Sequence, residues 1–263
     1  MSGLAPGTPR TLTLARTMAF LRAVLPAAAR VLEVGCGSGE VAAALGRDGH
    51  AVVAIDADPD AVDSARALGV DAACVSLLDY DAAPFDVVLF TRSLHHIDPL
   101  EAAVARARRL VADGGLVVAD EFARERVDAE TAAWHFDTCA VLADAGLLPE
   151  EPPGAGGDPL RRWFARFEAH GGHGHEHEHG HGHGAHGRHH MTTGAEMVAA
   201  LSAAFTVTRL DERVPYQYRF VAERLPDTPE GSRVARRLLA IERRRIALSG
   251  GPWAGLRIVA RAV

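Results

Sequence analysis

The 263-residue chain contains no lysine, so arginine carries all its basic charge. That absence fits a compositional bias of the genome more simply than selection for function. With a formal net charge of −6, the chain also lacks the concentrated basic surface that phosphate backbones require, which argues against nucleic acid as a partner. The arginines between Arg236 and Arg245 recur at helical spacing and read as a solvated helix face. Cysteine is scarce: Cys36, Cys74 and Cys139 are far apart, odd in number and form no CxxC pair. Neither a disulfide framework nor a thiolate zinc site follows, and a reducing, cytoplasmic location is expected. No apolar run is long enough to span a bilayer, so no membrane partner is expected. MAFLRAVLPAAAR (18–30) has a superficial likeness to a signal peptide. Arg22 interrupts it and a strand follows at once, so residues 11–29 are expected to be an amphipathic helix of the mature protein.

What is present is a hydrophobic fraction of 48%, ample for a packed core. Short apolar runs at 30–35, 51–56, 71–78, 85–91 and 115–122 alternate with helical patterns at 38–49, 58–68 and 99–112. Continuous apolar strands separated by helices predict a parallel sheet covered on both faces, hence a doubly wound α/β fold. Beyond Phe122 the rhythm changes. Helical patterns at 129–148, 160–170 and 191–205 lead to an alternating segment, 205–220, expected as one or two strands. A helix at 232–248 and a final strand at 255–263 follow. The division expected is a first part at 1–122, an inserted helical cap at 123–193, and 194–263 completing the sheet.

Within the cap lies HGGHGHEHEHGHGHGAHGRHH (170–190), which holds ten of the fourteen histidines. Interleaved glycine makes a persistent helix or strand costly there. The alternating His173, His175, His177, His179, His181 and His183 can bind a divalent metal, but so many interchangeable ligands without fixed partners suit adventitious or buffering binding rather than catalysis. No metal is required by the chemistry expected below.

The informative segment is EVGCGSG (33–39), a glycine turn that follows a buried strand and opens a helix. Such a turn lets a ligand approach the backbone. Glu33, two residues before the first glycine, would repel a pyrophosphate and suits a cationic or amine-bearing ligand. Asp56, at the end of the second strand, is placed to accept hydrogen bonds from a ribose diol. Together with VVAID (52–56), PFDVVLFTRSLHHI (84–97) and LVADGGLVVADEF (110–122), the turn resembles, from Arg30 to Phe122, a class I S-adenosylmethionine-dependent methyltransferase of the small-molecule group.

That resemblance implies a mostly parallel, seven-stranded Rossmann-like sheet, S-adenosylmethionine as cofactor and a small-molecule methyl acceptor. It implies that Glu33, Gly35, Cys36, Gly37 and Gly39 surround the methionine and ribose, with Asp56 on the ribose hydroxyls and Ala57 near the adenine. Ser76 stands at the usual acidic position for the adenine edge with Leu77 supplying its backbone, Asp79 being the alternative. Thr91 and Arg92 would border the methionine. Methyl transfer from a sulfonium mainly needs positioning and exclusion of water. For a hydroxyl acceptor, His95, His96, Glu121 and His135 are the candidate bases, though positioning is favoured over any of them. Trp134, Phe136, Trp163, Phe164, Tyr216 and Tyr218 are expected to form either a cap core or an acceptor pocket. Two rival readings are a nicotinamide oxidoreductase, which would want a longer glycine spacing and no Glu33, and a non-catalytic cofactor or metal sensor on the same scaffold. Oligomeric state and acceptor atom stay open.

Overall fold

A computed structural model describes residues 7–150, 157–169, 191–249 and 254–263. The first helix, α1 (Pro9–Val24), starts where Thr8 accepts the Thr11 N–H and proline occupies the first turn. It ends earlier than expected because Pro26 disfavours helical backbone at Leu25. The alternating part follows as β1 (Arg30–Val34), α2 (Glu40–Arg47), β2 (Ala51–Asp56), α3 (Pro59–Ala67), β3 (Asp71–Cys74), β4 (Phe85–Thr91), α4 (Leu100–Leu110) and β5 (Val111–Phe122). A 3-10 turn, Leu94–His96, joins β4 to α4. Strand β3 is half its expected length, since after Val75 the chain turns on a Ser76–Asp79 hydrogen-bond pair.

The remainder is α5 (Ala129–Asp144), α6 (Pro159–Ala169), α7 (Gly194–Ala204), β6 (Thr206–Val214), α8 (Gln217–Ala222), α9 (Pro229–Ser249) and β7 (Gly255–Arg261). The strand expected over 205–220 therefore stops at Val214, and Gln217–Ala222 is helical. The sheet order is β3-β2-β1-β4-β5-β7-β6. Strands β1 to β5 run parallel, β7 is antiparallel to β5, and β6 is antiparallel to β7. The fold is the doubly wound, mostly parallel seven-stranded sheet.

One sheet face buries Leu32, Val88, Phe90 and Val117 with Leu100, Val104 and Met197 of α4 and α7. The other buries Val31, Leu89 and Val118 against Met18 and Leu21 of α1 and Leu45 of α2. A separate layer joins Cys139 and Leu142 of α5 to Tyr218 and Val221 of α8 and Leu238 of α9. The helical layer is thus built from two chain segments, one after β5 and one between β6 and β7. The consequence for a ligand lies in the strand order, which reverses between β1 and β4. Both strands end there with their loops diverging, and that divergence opens a crevice at their carboxyl ends.

Candidate functional site

A cleft of about 580 Å³ occupies that crevice. Its sheet-side wall is the glycine turn together with the ends of β4 and β5, and α1 contributes Arg10, Thr13 and Leu14. The turn is held rigidly: the Gly35 and Cys36 N–H groups donate to the Ile55 carbonyl, and the Gly37 N–H donates to Asp56 Oδ2 at 2.8 Å. Gly35 has φ +66, and a side chain there would collide with Ser93. At Gly37, by contrast, a Cβ would meet nothing within 4 Å, so its face is open to a ligand.

Glu33 lies on the floor of this cleft, fully buried. Its Oε1 accepts the Thr91 hydroxyl at 2.8 Å, while Oε2 is buried without a hydrogen-bond partner. Burial pushes its carboxyl up to about 7, helped by Asp56 and Glu40 and opposed by the Thr91 hydroxyl and the Ala42 amide. A carboxylate with one unfilled oxygen beside an open glycine turn is an acceptor for a cation or an amine.

Arg92, directly after β4, has φ +62, a conformation that costs a non-glycine residue about 1 kcal/mol. Its N–H donates to the Asp120 carbonyl, and its guanidinium bridges to both oxygens of Glu223, which also accepts from Arg219. This link ties the sheet to α8 across the cleft. The 3-10 turn brings His95 and His96 to the same wall. His95 Nδ1 lies 2.6 Å from Glu121 Oε2, and Glu121 Oε1 accepts the N–H groups of Ser93 and Leu94 at 2.8 Å each.

The cap-side wall is aromatic: Phe122, Phe167, Tyr216 and Phe220 line it together with Met191 and Arg219. Phe122 stacks on Tyr216 with ring centres 5.1 Å apart, and its edge contacts His95 at 4.7 Å. Burial pushes the Tyr216 phenol well above the usual tyrosine range.

Of the residues singled out in the sequence, the structure gathers Glu33, Gly35, Cys36, Gly37, Thr91, Arg92, His95 and His96 on one cleft. Gly39 lies off that wall, packed against Ala65 of α3. Asp56, Ala57, Ser76, Leu77 and Asp79 are not on that wall either; Asp56 clamps the glycine turn and accepts from the Asp58 N–H. Glu121 is buried behind His95 and does not line the cleft. His135 is a correction: it is sealed inside the cap, bonded through Nε2 to Arg166 and driven down to about 3 by burial and by Arg166, Arg224 and Arg162. It does not line this cleft. Of the expected aromatic set only Tyr216 reaches the cleft; Trp163 and Tyr218 are cap core. Sequence reasoning missed Ser38 and Glu40, which sit in and directly after the glycine turn, and Arg10, Arg219 and Phe220, which reach the cleft only through tertiary packing. The 170–190 histidine run lies outside the described residues, and among those described no group of histidine, cysteine and acidic side chains could hold a metal.

The family described as "Methyltransferase domain" matches residues 9–175, and the chain belongs to that family. A ubiquinone biosynthesis O-methyltransferase from Xylella fastidiosa is 36% identical over 96 residues, covering 33% of this chain and 39% of the relative. The chain thus spans about two fifths of the length of the first curated relatives it matches. An uncharacterized methyltransferase from Mycobacterium bovis is 32% identical over 137 residues, 49% of this chain and 68% of the relative. Among solved structures, a geranyl diphosphate C-methyltransferase from Streptomyces coelicolor matches with a TM-score of 0.57 and 15% identity, over 95% of this chain and 78% of that one. At that identity the likeness shows the fold alone, and the names span O- and C-methylation.

Proposed function

We propose that this chain transfers a methyl group from S-adenosylmethionine to a small-molecule acceptor. The observation that carries the reading is the pairing of an open glycine turn with a buried carboxylate oxygen that lacks a partner, both on the cleft at the strand-order reversal. These residues fit the cofactor: Glu33 would accept from its ammonium, the Gly35–Gly37 turn would lie along its methionine and ribose, and Asp56 keeps free lone pairs for the ribose diol. The adenine edge would fall to Ser76 with the Leu77 backbone, Asp79 being the alternative, and Ala57 would pack alongside.

When bound, the sulfonium supplies an electrophilic methyl group. The chain's own contribution is to hold the acceptor on the aromatic wall, keep water out beneath the cap, and fix the two partners in line. Neither nucleic acid nor a metal is needed. No helix among the described residues is long and apolar enough to cross a membrane. Three free cysteines, two of them buried, suit the reducing cytoplasm.

Calorimetric titration with S-adenosylmethionine, S-adenosylhomocysteine and NAD(P) tests the reading. Saturable binding of the first two is expected. Binding of the nicotinamide with neither sulfur compound would overturn it in favour of an oxidoreductase.

A further inference from the structure

We infer that the α8 side of the cleft recognises an anionic group on the methyl acceptor, with Arg219 as the residue that pairs with it, so that the acceptor is an aromatic carboxylic acid. This rests on the methyl-donor reading above and deepens it by naming the acceptor class.

One helix face builds the site. Tyr216, Arg219, Phe220 and Glu223 all line the cleft, and their helical spacing puts them on the same side of α8 and its two flanking positions. Glu242 fixes that side by accepting the N–H groups of Tyr216, Gln217 and Tyr218. Arg219 is only 9% exposed. Its Nε donates to Glu223 Oε1 at 3.0 Å, whereas Nη1 and Nη2 make no hydrogen bond among the described residues. A guanidinium does not shed its charge, and burying one without acceptors for its terminal N–H groups is costly. A ligand carboxylate answers both needs, taking one N–H from each terminal nitrogen in a bidentate fork. The local charge balance favours it. Glu223 Oε1 accepts from Arg92 and Arg219, and its Oε2 accepts from Arg92, so two guanidiniums share one carboxylate. Asp120, the other acid whose charge acts on Arg219, is taken by Thr17 and Arg257. An excess positive charge is left on the cleft wall.

The neighbouring rings supply a place for the body of the ligand. Tyr216 lies between Phe122 and Phe220, with ring centres 5.1 and 5.3 Å away, and the Arg219 guanidinium stands 5.4 Å from the Tyr216 ring. An aryl ring laid on this wall carries a carboxyl substituent alongside Arg219. The cleft is thereby divided by charge. The unfilled oxygen of Glu33 lies beside the glycine turn, for the ammonium of the donor, and Arg219 lies on the cap side, for the acid of the acceptor. Arg10 stands by the turn, paired with Glu40 at 2.8 Å, and so belongs to the donor side. The methionine carboxylate of the donor is the competing source of the same chemistry, and the affinities of the two ligands tell them apart.

The test titrates the full chain, saturated with S-adenosylhomocysteine, with 2-naphthoate and with its neutral isostere 2-naphthamide in a calorimeter. Wild-type protein is expected to bind the acid about tenfold more tightly than the amide, or better. Arg219→Gln, which keeps a hydrogen-bond donor near Glu223 but removes the charge, is expected to bind both probes alike while holding S-adenosylhomocysteine within twofold of wild type. Arg219→Lys, which keeps the charge but loses the fork, is expected to retain part of the preference. The wild-type comparison stands even where a variant fails to fold. Equal binding of acid and amide by wild type, binding of neither, or a preference that survives intact in Arg219→Gln would overturn the inference. So would a loss of S-adenosylhomocysteine affinity in Arg219→Gln that matches the loss of acid binding, because it would put Arg219 on the donor's own carboxylate. Failure of wild-type protein to bind S-adenosylhomocysteine would instead sink the methyl-donor reading on which the inference stands.

Discussion

At the scale of single residues, Glu33 shows how the site trades stability for binding. Its carboxyl is raised by burial to about 7, against an ordinary value of 4.5. A raised folded value means that folding favours protonated Glu33 over ionised Glu33. Its contribution to stability is present below about pH 4.5 and is lost as the pH rises through 7, a loss on the order of 3 kcal/mol. Glu33→Gln should therefore unfold at a higher temperature than wild type at pH 8, with the gap closing towards pH 5; thermal melts at both values check this. The cationic cofactor selects the ionised form, so wild-type affinity should fall about tenfold between pH 8 and pH 6, with proton release measurable by calorimetry in buffers of different ionisation heat. A flat affinity profile would remove Glu33 from the cofactor site. Asp56 belongs to the same scale. Asp56→Ala should weaken cofactor affinity at least tenfold, because it removes both the proposed ribose acceptor and the bond that holds the Gly37 N–H. Unchanged affinity would take Asp56 out of the ribose site.

At the scale of elements, α8 is the instructive case. Six residues are too few to nucleate a stable helix alone. Its first turn is completed instead by Glu242 of α9, whose carboxylate accepts the N–H groups of Tyr216, Gln217 and Tyr218 at 2.7 to 2.8 Å. That support comes from about 25 residues further along the chain, which is why the alternating pattern of 205–220 reads as strand when taken locally. Strands β1, β2, β4 and β5 were legible because burial on both faces writes continuous apolar runs. The glycine turn was legible because its backbone geometry demands glycine. The cap side of the cleft was not: Arg219, Phe220 and Phe167 carry no local signature of a binding wall and meet only through packing. Glu242→Ala should leave three buried N–H groups unpaired and cost about 3 kcal/mol or more. Hydrogen exchange should speed up across Tyr216–Ala222 while amides of the glycine turn keep their protection. Uniform acceleration in both places would mean that α8 is not a separately held element.

At the scale of the whole molecule, the mostly parallel sheet that carries the glycine turn is joined to a helical layer assembled from two chain segments, and the cleft lies between them. The described residues on either side of the histidine run both bear on the cleft. Phe167, three residues before it, and Met191, directly after it, both line the cleft, and the next residue, Thr192, is hydrogen-bonded to His95. The residues flanking the run thus lie on the aromatic wall of the cleft, whereas Glu33 and Asp56 are carried by β1 and β2 and the glycine turn follows β1. Two consequences separate cleanly. Replacing residues 171–189 with a glycine–serine segment of equal length should leave S-adenosylmethionine affinity within twofold, because the residues proposed to hold the donor all lie on other segments of the chain. The same replacement should abolish uptake of Zn²⁺ or Ni²⁺ by the purified protein, since the described residues offer no alternative cluster. Titrating both ligands into both proteins decides the matter in one experiment. Loss of cofactor binding would make the run part of the donor site after all, and retained metal uptake would place the metal elsewhere in the chain.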